Sequence, residues 1–137
     1  MKNELYQLLR EIVVLLAAGD QETLAPFELD PLEYTALLFL EQDSGWRMVD
    51  LCERLICDKS KMTRIIDHLE QRGVAERRHD PQDRRAWQVY LTESGATFRG
   101  QVQATHLASL QVRFDVLNEV EKEQLLVLLK RLRINLG

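Results

Sequence analysis

The chain has 137 residues, of which 45% are hydrophobic, and a formal net charge of −4. This length suffices for one domain with a core, and no apolar run approaches the roughly 20 residues that a membrane-spanning helix requires. Residues 1–10 mix charges with leucines and lack the apolar block of a signal peptide. We therefore expect a cytoplasmic protein with no membrane partner, folded as a single domain over residues 1–137.

Two helices are predicted in the N-terminal third. The first carries one apolar stripe at helical spacing, formed by Leu5, Leu8, Leu9, Ile12 and Leu16. The second begins at Asp30-Pro31-Leu32-Glu33, which supplies an N-cap, a first-turn proline and an acidic third position. We expect these helices to pack beneath the segment that follows.

The segment from Asp58 to Arg72 predicts a helix with two chemically different faces. Met62, Ile65, Ile66 and Leu69 follow the i, i+3, i+4, i+7 spacing of a buried stripe. The opposite face carries hydroxyls and long donors of the kinds that reach base edges and phosphates in a major groove: Ser60, Lys61, Thr63, Arg64, Asp67 and His68. Asp58 is placed to cap this helix, and Gly73 to end it.

A β-hairpin is predicted next, with strands at residues 74–78 and 87–91. The second strand alternates Trp87, Val89 and Leu91 with polar residues. The connecting turn from His79 to Arg85 is rich in Asp and Pro and has two arginines just past its tip. Such a hairpin can insert an arginine into a minor groove. The order of helix, turn, helix and hairpin from Leu51 to Gly95 indicates a winged helix-turn-helix.

Two further helices are predicted after the hairpin. One runs from Thr92 to about Val116, and Asn118-Glu119-Val120-Glu121 begins another with a capped start. The last helix displays a broad apolar side, formed by Leu125, Leu128, Leu129, Leu132 and Leu136. That side either belongs to an intrachain core or pairs across a two-fold axis. We favour pairing, which predicts a homodimer and a pseudo-palindromic DNA site.

The expected fold class is mainly α with a small β-hairpin wing. A winged helix-turn-helix lobe at about residues 30–95 is flanked by dimerisation helices at about 1–18 and 96–137. Charge is unevenly distributed along the chain: residues 54–89 hold nine Lys and Arg against six Asp and Glu, whereas the remainder holds nine against sixteen. A locally basic lobe on an acidic body favours double-stranded DNA as the partner.

Five segments resemble the MarR (multiple antibiotic resistance regulator) family in order and spacing. They are Leu51-Cys52-Glu53-Arg54-Leu55, Asp58-Lys59-Ser60-Lys61-Met62-Thr63-Arg64, Leu69-Glu70-Gln71-Arg72-Gly73-Val74, Asp80-Pro81-Gln82-Asp83-Arg84-Arg85-Ala86 and Leu91-Thr92-Glu93-Ser94-Gly95. The wing motif followed by L-T-x-x-G is the most selective part. Two positions depart from the family pattern. Ile56 occupies a turn position that is often a small residue, although a β-branched residue resists positive φ. Gly45-Trp46-Arg47 replaces the usual cap before the first helix of the motif.

The resemblance implies a transcriptional regulator, usually a repressor, in which Ser60, Thr63 and Arg64 read or position DNA. It also implies that Arg85 enters the minor groove with Asp83 as its partner, and an Asp–Arg pair would fix the arginine in one orientation. We predict a DNA-contact set of Lys59, Ser60, Lys61, Thr63, Arg64, His68, Arg84 and Arg85.

The resemblance further implies control by a ligand or a redox signal that changes the spacing of the two DNA-binding lobes. An aromatic or phenolic effector could stack on Trp46, Tyr34 or Phe39, although core packing accounts for these aromatics more simply. Cys52 and Cys57 leave open a redox-responsive regulator, against the simpler interpretation that both are reduced and merely buried.

Other classes find less support in the sequence. His68, His79 and His106 lack the spacing of metal ligands on one helix, and we expect neither a metal nor a cofactor. No phosphate loop or nucleophile motif is present, so we do not expect an enzyme. The remaining rival is a winged helix that binds an acidic protein instead of DNA.

Overall fold

The computed structural model describes residues 2–137. Helix α1 (Lys2–Leu24) leads through a 3-10 turn (Ala25–Phe27) to α2 (Pro31–Phe39), β1 (Trp46–Arg47), α3 (Met48–Leu55) and α4 (Lys59–Gln71). Strands β2 (Ala75–His79) and β3 (Trp87–Leu91) form the hairpin, and α5 (Glu93–Phe114) and α6 (Glu119–Leu136) complete the chain. The structure is therefore mostly helical with one small sheet, as the sequence predicts.

The predicted helix caps are confirmed. The Asp30 carboxylate accepts the Glu33 N–H at 2.8 Å, and the Glu33 carboxylate accepts the Asp30 N–H at 3.1 Å. Asn118 and Glu121 form the same reciprocal pair at the start of α6. Each pair satisfies two backbone donors that a helix start leaves unpaired, so these starts are fixed locally by the sequence.

Helix α3 begins without a side-chain cap, and its start depends on a strand that sequence reasoning missed. Its N-cap residue, Arg47, makes no capping hydrogen bond with its side chain. Instead, Trp46 and Arg47 form β1, which pairs antiparallel with β3 through the registers Trp46↔Val89 and Arg47↔Gln88. The sheet order is β1-β3-β2. The wing sheet therefore positions the first helix of the helix-turn-helix.

The turn between α3 and α4 places Ile56 in the left-handed region, with φ 51° and ψ 54°. The Ile56 N–H bonds to the Glu53 carbonyl at 3.2 Å, and the Cys57 N–H bonds to the Cys52 carbonyl at 3.2 Å. These two bonds define a Schellman ending, which normally has glycine at the left-handed position. The Ile56 side chain is 92% exposed, so its bulk meets solvent and not the core.

The hairpin and its junction with α5 follow from specific backbone contacts. Gly73 has φ 73° and ends α4 as predicted. Thr92 and Ser94 both donate their hydroxyls to the Gly73 carbonyl, at 2.6 and 2.8 Å. A Cβ on Gly95 would lie 2.0 Å from the Val74 carbonyl oxygen. The L-T-x-x-G segment thus docks the start of α5 against the end of α4, and the docking requires glycine at position 95.

The core lies within the first of two compact units, which extends to His106. Its fully buried side chains come from α1, α2 and the residue that follows it, α3, α4, β3 and α5. The largest are Leu24, Leu37, Leu40, Leu51, Met62, Ile66, Leu69, Leu91, Val89 and Val102. Helix α2 thus packs beneath the helix-turn-helix, as expected.

The second unit comprises residues Leu107–Gly137. Its leucines that were predicted to form one apolar side are all exposed, from 37% at Leu132 to 76% at Leu136. The expectation of a single domain over the whole chain stays a prediction. Among residues 2–137, no helix is both long enough and apolar enough to span a membrane.

Candidate nucleic-acid interface

The two faces of α4 are separated as the sequence predicts. Met62, Ile65, Ile66 and Leu69 are buried. The outward residues of the first two turns are exposed and line an open groove of about 550 Å³, formed by Asp58, Ser60, Lys61, Thr63, Arg64 and Asp67. Asp58 caps the helix by accepting the Lys61 N–H at 2.7 Å. The N-terminal half of α4 therefore presents hydroxyls and cations on a rigid helix start.

The C-terminal half of α4 faces other parts of the protein. The His68 imidazole pairs through Nδ1 with Oε2 of Glu33, whose other oxygen takes part in the α2 capping box. Glu33 is buried, with 7% of its surface exposed. His68 thus joins α4 to the start of α2. Glu33 occupies one of the two ring nitrogens of His68, and the predicted DNA contact of His68 stays a prediction.

Arg72 makes a second attachment on the same side of α4. Its guanidinium donates to the Glu28 carbonyl at 2.8 Å and to the Phe27 carbonyl at 2.6 Å. The same group lies over the Phe98 ring, 4.8 Å from its centroid. Arg72 therefore satisfies carbonyls in the turn that follows α1.

Arg77 of β2 attaches the other flank of α4 to the wing. It donates to the Glu70 carboxylate at 2.5 Å and to the Asp67 carboxylate at 2.6 Å. Its backbone N–H also bonds to Glu70, at 3.0 Å. Bidentate and charge-assisted bonds of this kind specify orientation. The outer helix is thereby held between the α1–α2 turn and the wing.

The base of the wing turn is organised by Asp80, which is 6% exposed. One carboxylate oxygen accepts the Gln82 N–H at 2.9 Å, and the other accepts the Arg47 Nε–H at 3.2 Å. The hydrogen bond from Gln82 and the nearby Arg47 charge lower the pKa of Asp80, against the opposing effect of its burial. Sequence reasoning missed this anchor. The sequence did offer one sign of the anchor, because Asp80 lies in the same turn as Asp83. It could not show the partner of Asp80, because Arg47 lies 33 positions earlier in the chain.

At the wing tip, Asp83 contacts the backbone of the arginine segment. Its Oδ1 accepts the Arg85 N–H at 3.0 Å, and its carbonyl accepts the Ala86 N–H at 3.0 Å. The side chains of Arg84 and Arg85 are exposed. Asp83 therefore shapes the turn through the main chain, and the expected pairing of its carboxylate with a guanidinium stays a prediction.

An aromatic pair stabilises the turn where the two wing strands meet it. His79 stacks on Trp87 with ring centroids 3.8 Å apart, as the register His79↔Trp87 places them opposite each other. The His79 Nδ1–H donates to the Arg84 carbonyl at 2.8 Å, because a carbonyl oxygen can only accept. The pair thus holds the arginine segment from one side.

The three aromatics considered for an effector site all pack within the first unit. Trp46 donates its indole N–H to the Phe39 carbonyl at 2.8 Å, and the two rings meet edge to face. Tyr34 is buried against the His106 ring, and burial together with the nearby Asp20 charge raises its pKa. Their structural contacts favour the core-packing interpretation.

Lys59 lies at the first position of α4 and is exposed. Within residues 2–137, no group of three or more His, Cys, Asp or Glu side chains is arranged to hold a metal ion. The exposed features of the lobe are therefore the N-terminal half of α4 and the arginine-tipped wing. Together they define a winged helix-turn-helix DNA-binding protein.

Comparison with known proteins finds similarity to one family of transcriptional regulators. Residues 29–87 match the MarR family model. The transcriptional repressor MprA of Escherichia coli K12 is 33% identical over 114 residues, which cover 82% of this chain and 60% of MprA. The crystal structure of wild-type E. coli MarR in its apo form superposes with a TM-score of 0.81 and 26% identity, covering 93% of this chain and 96% of that one. BpsR of Bordetella bronchiseptica, whose DNA binding is regulated by 6-hydroxynicotinic acid, superposes with a TM-score of 0.77 and 25% identity over 93% and 91% of the two chains.

Over residues 29–87 the chain is similar to the MarR family of transcriptional regulators. Its members are DNA-binding proteins and not enzymes, in agreement with the lack of a catalytic motif in the sequence. The matched segment contains both helices of the helix-turn-helix and most of the wing.

Proposed function

We propose that this regulator is a homodimeric repressor that binds a pseudo-palindromic operator and is released by a small planar effector. The observation that carries the proposal is the exposed polar groove of α4 on the same lobe as an arginine-tipped wing. Several other arginines of this lobe are engaged in intramolecular contacts. In this arrangement Lys59, Ser60, Lys61, Thr63 and Arg64 enter or border the major groove. Arg84 and Arg85 reach the minor groove or its phosphates.

Exposed apolar surface at both ends of the chain supports the dimer. Helix α1 leaves Leu5, Leu8 and Ile12 exposed, at 58%, 52% and 41%, and α6 exposes its leucines as described above. Monomeric proteins rarely leave contiguous apolar faces of this kind in water. A second copy of the chain can cover both faces, and the resulting two-fold axis would place two lobes on half-sites about one helical turn apart.

Effector release is supported by the resemblance to BpsR, which responds to a hydroxylated aromatic acid. A ligand shifts DNA affinity only if it prefers one separation of the two lobes. We propose an aromatic or phenolic compound in that role. Repression, rather than activation, is supported by the similarity to MprA. Because the proposed target is chromosomal DNA, we place the protein in the cytoplasm.

The first experiment is selection of bound fragments from a genomic DNA pool by the purified protein at about 150 mM salt, since affinity depends steeply on salt. Enrichment of a two-fold-symmetric site is the expected result. Arg64→Ala and Arg85→Ala variants, checked for folding by circular dichroism, should enrich the site weakly or not at all. Equal enrichment by both variants would contradict the proposed contacts. If wild type enriches no sequence, the rival interpretation as a protein-binding module is favoured.

A further inference from the structure

The three histidines of the chain differ in what their rings bond to. His68 and His106 each pair with a carboxylate. His79, at the end of β2, instead donates its Nδ1–H to the main-chain carbonyl of Arg84 at 2.8 Å. A proton taken up by His68 or His106 therefore meets an acidic partner, whereas a second proton on the His79 ring leaves a positive charge on the wing.

The bond to the Arg84 carbonyl determines which nitrogen of His79 is available to a ligand. Because a carbonyl oxygen only accepts, Nδ1 carries a proton in both the neutral and the cationic ring, and Nε2 gains the second proton. Among the residues that the structure describes, no group forms a hydrogen bond with Nε2, and His79 is exposed. Protonation therefore breaks no internal hydrogen bond and adds one N–H donor for an external group.

The Trp87 ring fixes the plane of the His79 imidazole. The two rings stack with centroids 3.8 Å apart and an angle of 27° between their planes, and Trp87 is exposed like His79. The face of an indole attracts a cation, so the stack also holds the imidazole in its charged form. Since neither ring is buried, packing in the core of the lobe does not account for the pair.

Most of the charged groups around His79 are already engaged within the protein. The charged and titratable residues of the adjoining strands, of α4 and of the wing turn are Arg47, Asp67, Glu70, Glu76, Arg77, Arg78, Asp80, Asp83, Arg84, Arg85 and Tyr90. The arginines of β1 and β2 are paired with carboxylates, and Asp83 accepts the Arg85 N–H. Within residues 2–137, the exposed side chains of Arg84 and Arg85 form no ion pair. An imidazolium at position 79 would therefore add a third cation to the arginine segment.

We propose that His79 is a further DNA contact of the wing, in which the protonated imidazole donates its Nε2–H to a backbone phosphate. The inference rests on the proposed function, in which Arg84 and Arg85 bring the wing to DNA. A cationic N–H forms a short, charge-assisted hydrogen bond with a phosphate oxygen, and such a contact does not depend on the base sequence. Through Nδ1 the same ring holds the main chain of the arginine segment.

This contact makes DNA affinity depend on pH. Histidine side chains ordinarily change charge between about pH 5 and 8, and DNA that accepts a bond from an imidazolium favours the protonated ring. Affinity therefore rises as the pH falls, by at most about tenfold per pH unit for each proton taken up. We expect a rise of about three- to tenfold between pH of about 7.5 and 6. Each engaged wing should also steepen the log–log dependence of affinity on salt by about 0.9.

The test measures binding of the full-length protein to the selected operator by fluorescence anisotropy across this pH range and at several salt concentrations. His79→Asn keeps an N–H donor for the Arg84 carbonyl but cannot take up a proton, so it should lose most of the pH dependence. His79→Arg carries a permanent charge that can stack on Trp87, so it should bind tightly throughout the range. His106→Gln removes a histidine that is paired elsewhere in the lobe and should keep the wild-type dependence. Circular dichroism checks the folding of each variant.

Parallel pH curves for wild type and His79→Asn would overturn the phosphate contact. A constant offset between such curves would limit His79 to positioning the arginine segment. The same titrations on a random-sequence duplex at about 50 mM salt separate this inference from the proposed function, because phosphate contacts do not depend on sequence. If no operator is enriched while His79→Asn still loses the pH dependence on that duplex, the proposed function fails and the contact stands. If wild type binds no duplex at any pH, both fail.

Discussion

His68 of α4 and Glu33 of α2 form a side-chain pair in which the carboxylate also belongs to the capping box of α2. One buried side chain thus serves a helix start and a contact between helices. We predict that His68→Ala destabilises the protein by about 1–3 kcal/mol, the usual cost of leaving a buried polar group without its partner. Urea unfolding monitored by circular dichroism measures this change.

His68→Gln is the matched control, because its amide can still donate to Glu33. It should recover much of the lost stability. Equal stability of His68→Ala and wild type would show that the pair contributes nothing net. If His68→Ala keeps its stability but weakens DNA binding, the DNA contact predicted from the sequence would be supported instead.

The left-handed conformation of Ile56 predicts a stabilising substitution. A residue with a Cβ in this region is strained by about 1–2 kcal/mol, and the exposed Ile56 side chain recovers little by burial. Ile56→Gly should therefore raise the free energy of unfolding by about 1 kcal/mol, after allowance for the greater freedom of glycine in the unfolded chain. Ile56→Ala keeps a Cβ and should gain less. A destabilised glycine variant would mean that the isoleucine is held by a contact that outweighs its strain.

Arg64 and Lys61 should affect DNA binding in different ways. Arg64 lies where a guanidinium can reach a base edge, so Arg64→Ala should cost about 1–3 kcal/mol and relax sequence preference. Lys61→Ala should weaken all sequences alike and reduce the dependence of affinity on salt. Anisotropy titrations of the selected operator and a scrambled duplex at several salt concentrations separate the two effects. Identical behaviour of the two variants would contradict this division of roles.

The wing anchor predicts an effect of pH. Because the pKa of Asp80 is lowered in the folded protein, its stabilising contribution is fully present above the pKa of an unfolded aspartate. It is lost as the pH falls through the lowered folded value. Asp80→Asn removes this charge, so wild type and variant should differ most near neutral pH and converge in acid. Urea unfolding between neutral pH and pH of about 3 measures the difference, with Asp43→Asn, in an exposed loop, as the control for general charge effects.

The apolar side of α6 predicts how a single charge would disrupt the proposed dimer. Leu128→Glu should shift the mass measured by light scattering towards that of a monomer, because a carboxylate would have to be buried in an apolar interface. Lys130→Gln makes the same change in net charge about 160° away around the helix and should leave the mass unchanged. A monomeric mass for wild type at micromolar concentration would refute the two-lobe model.

Local sequence rules predicted much of the fold because the responsible residues are neighbours in the chain. The Asp30 and Asn118 caps, the Gly73 ending and the alternating strand after Trp87 each depend on contacts within a few positions. The two-residue strand at Trp46 and Arg47 was missed because it is too short to show a period. The conformation of Ile56 contradicts the local preference of a β-branched residue, since the hydrogen bonds of the turn override it.

The sequence predicted which residues form the candidate interface, but not the intramolecular contacts that hold them in place. The exposed face of α4 and the wing arginines follow from periodicity and turn chemistry. The side-chain pairs that hold these elements cannot be predicted from local patterns. Arg47 and Asp80 are 33 positions apart in the chain, and His68 and Glu33 are 35 positions apart. Charged residues on a helix look alike in sequence whether they bind a phosphate or a distant carboxylate. Only the tertiary structure assigns Asp67, Glu70 and Arg72 to intramolecular roles.

The division of α4 into two halves bears on how the specificity of such a regulator changes during evolution. Its C-terminal half is tied to the α1–α2 turn and to the wing through Arg72 and Arg77, so substitutions there alter the scaffold. Its N-terminal half, from Lys59 to Arg64, projects polar side chains from a helix start that Asp58 already stabilises. Duplicated copies of this gene could therefore acquire new operators by changing a few codons in that half, while the codons that encode the scaffold stay under separate selection.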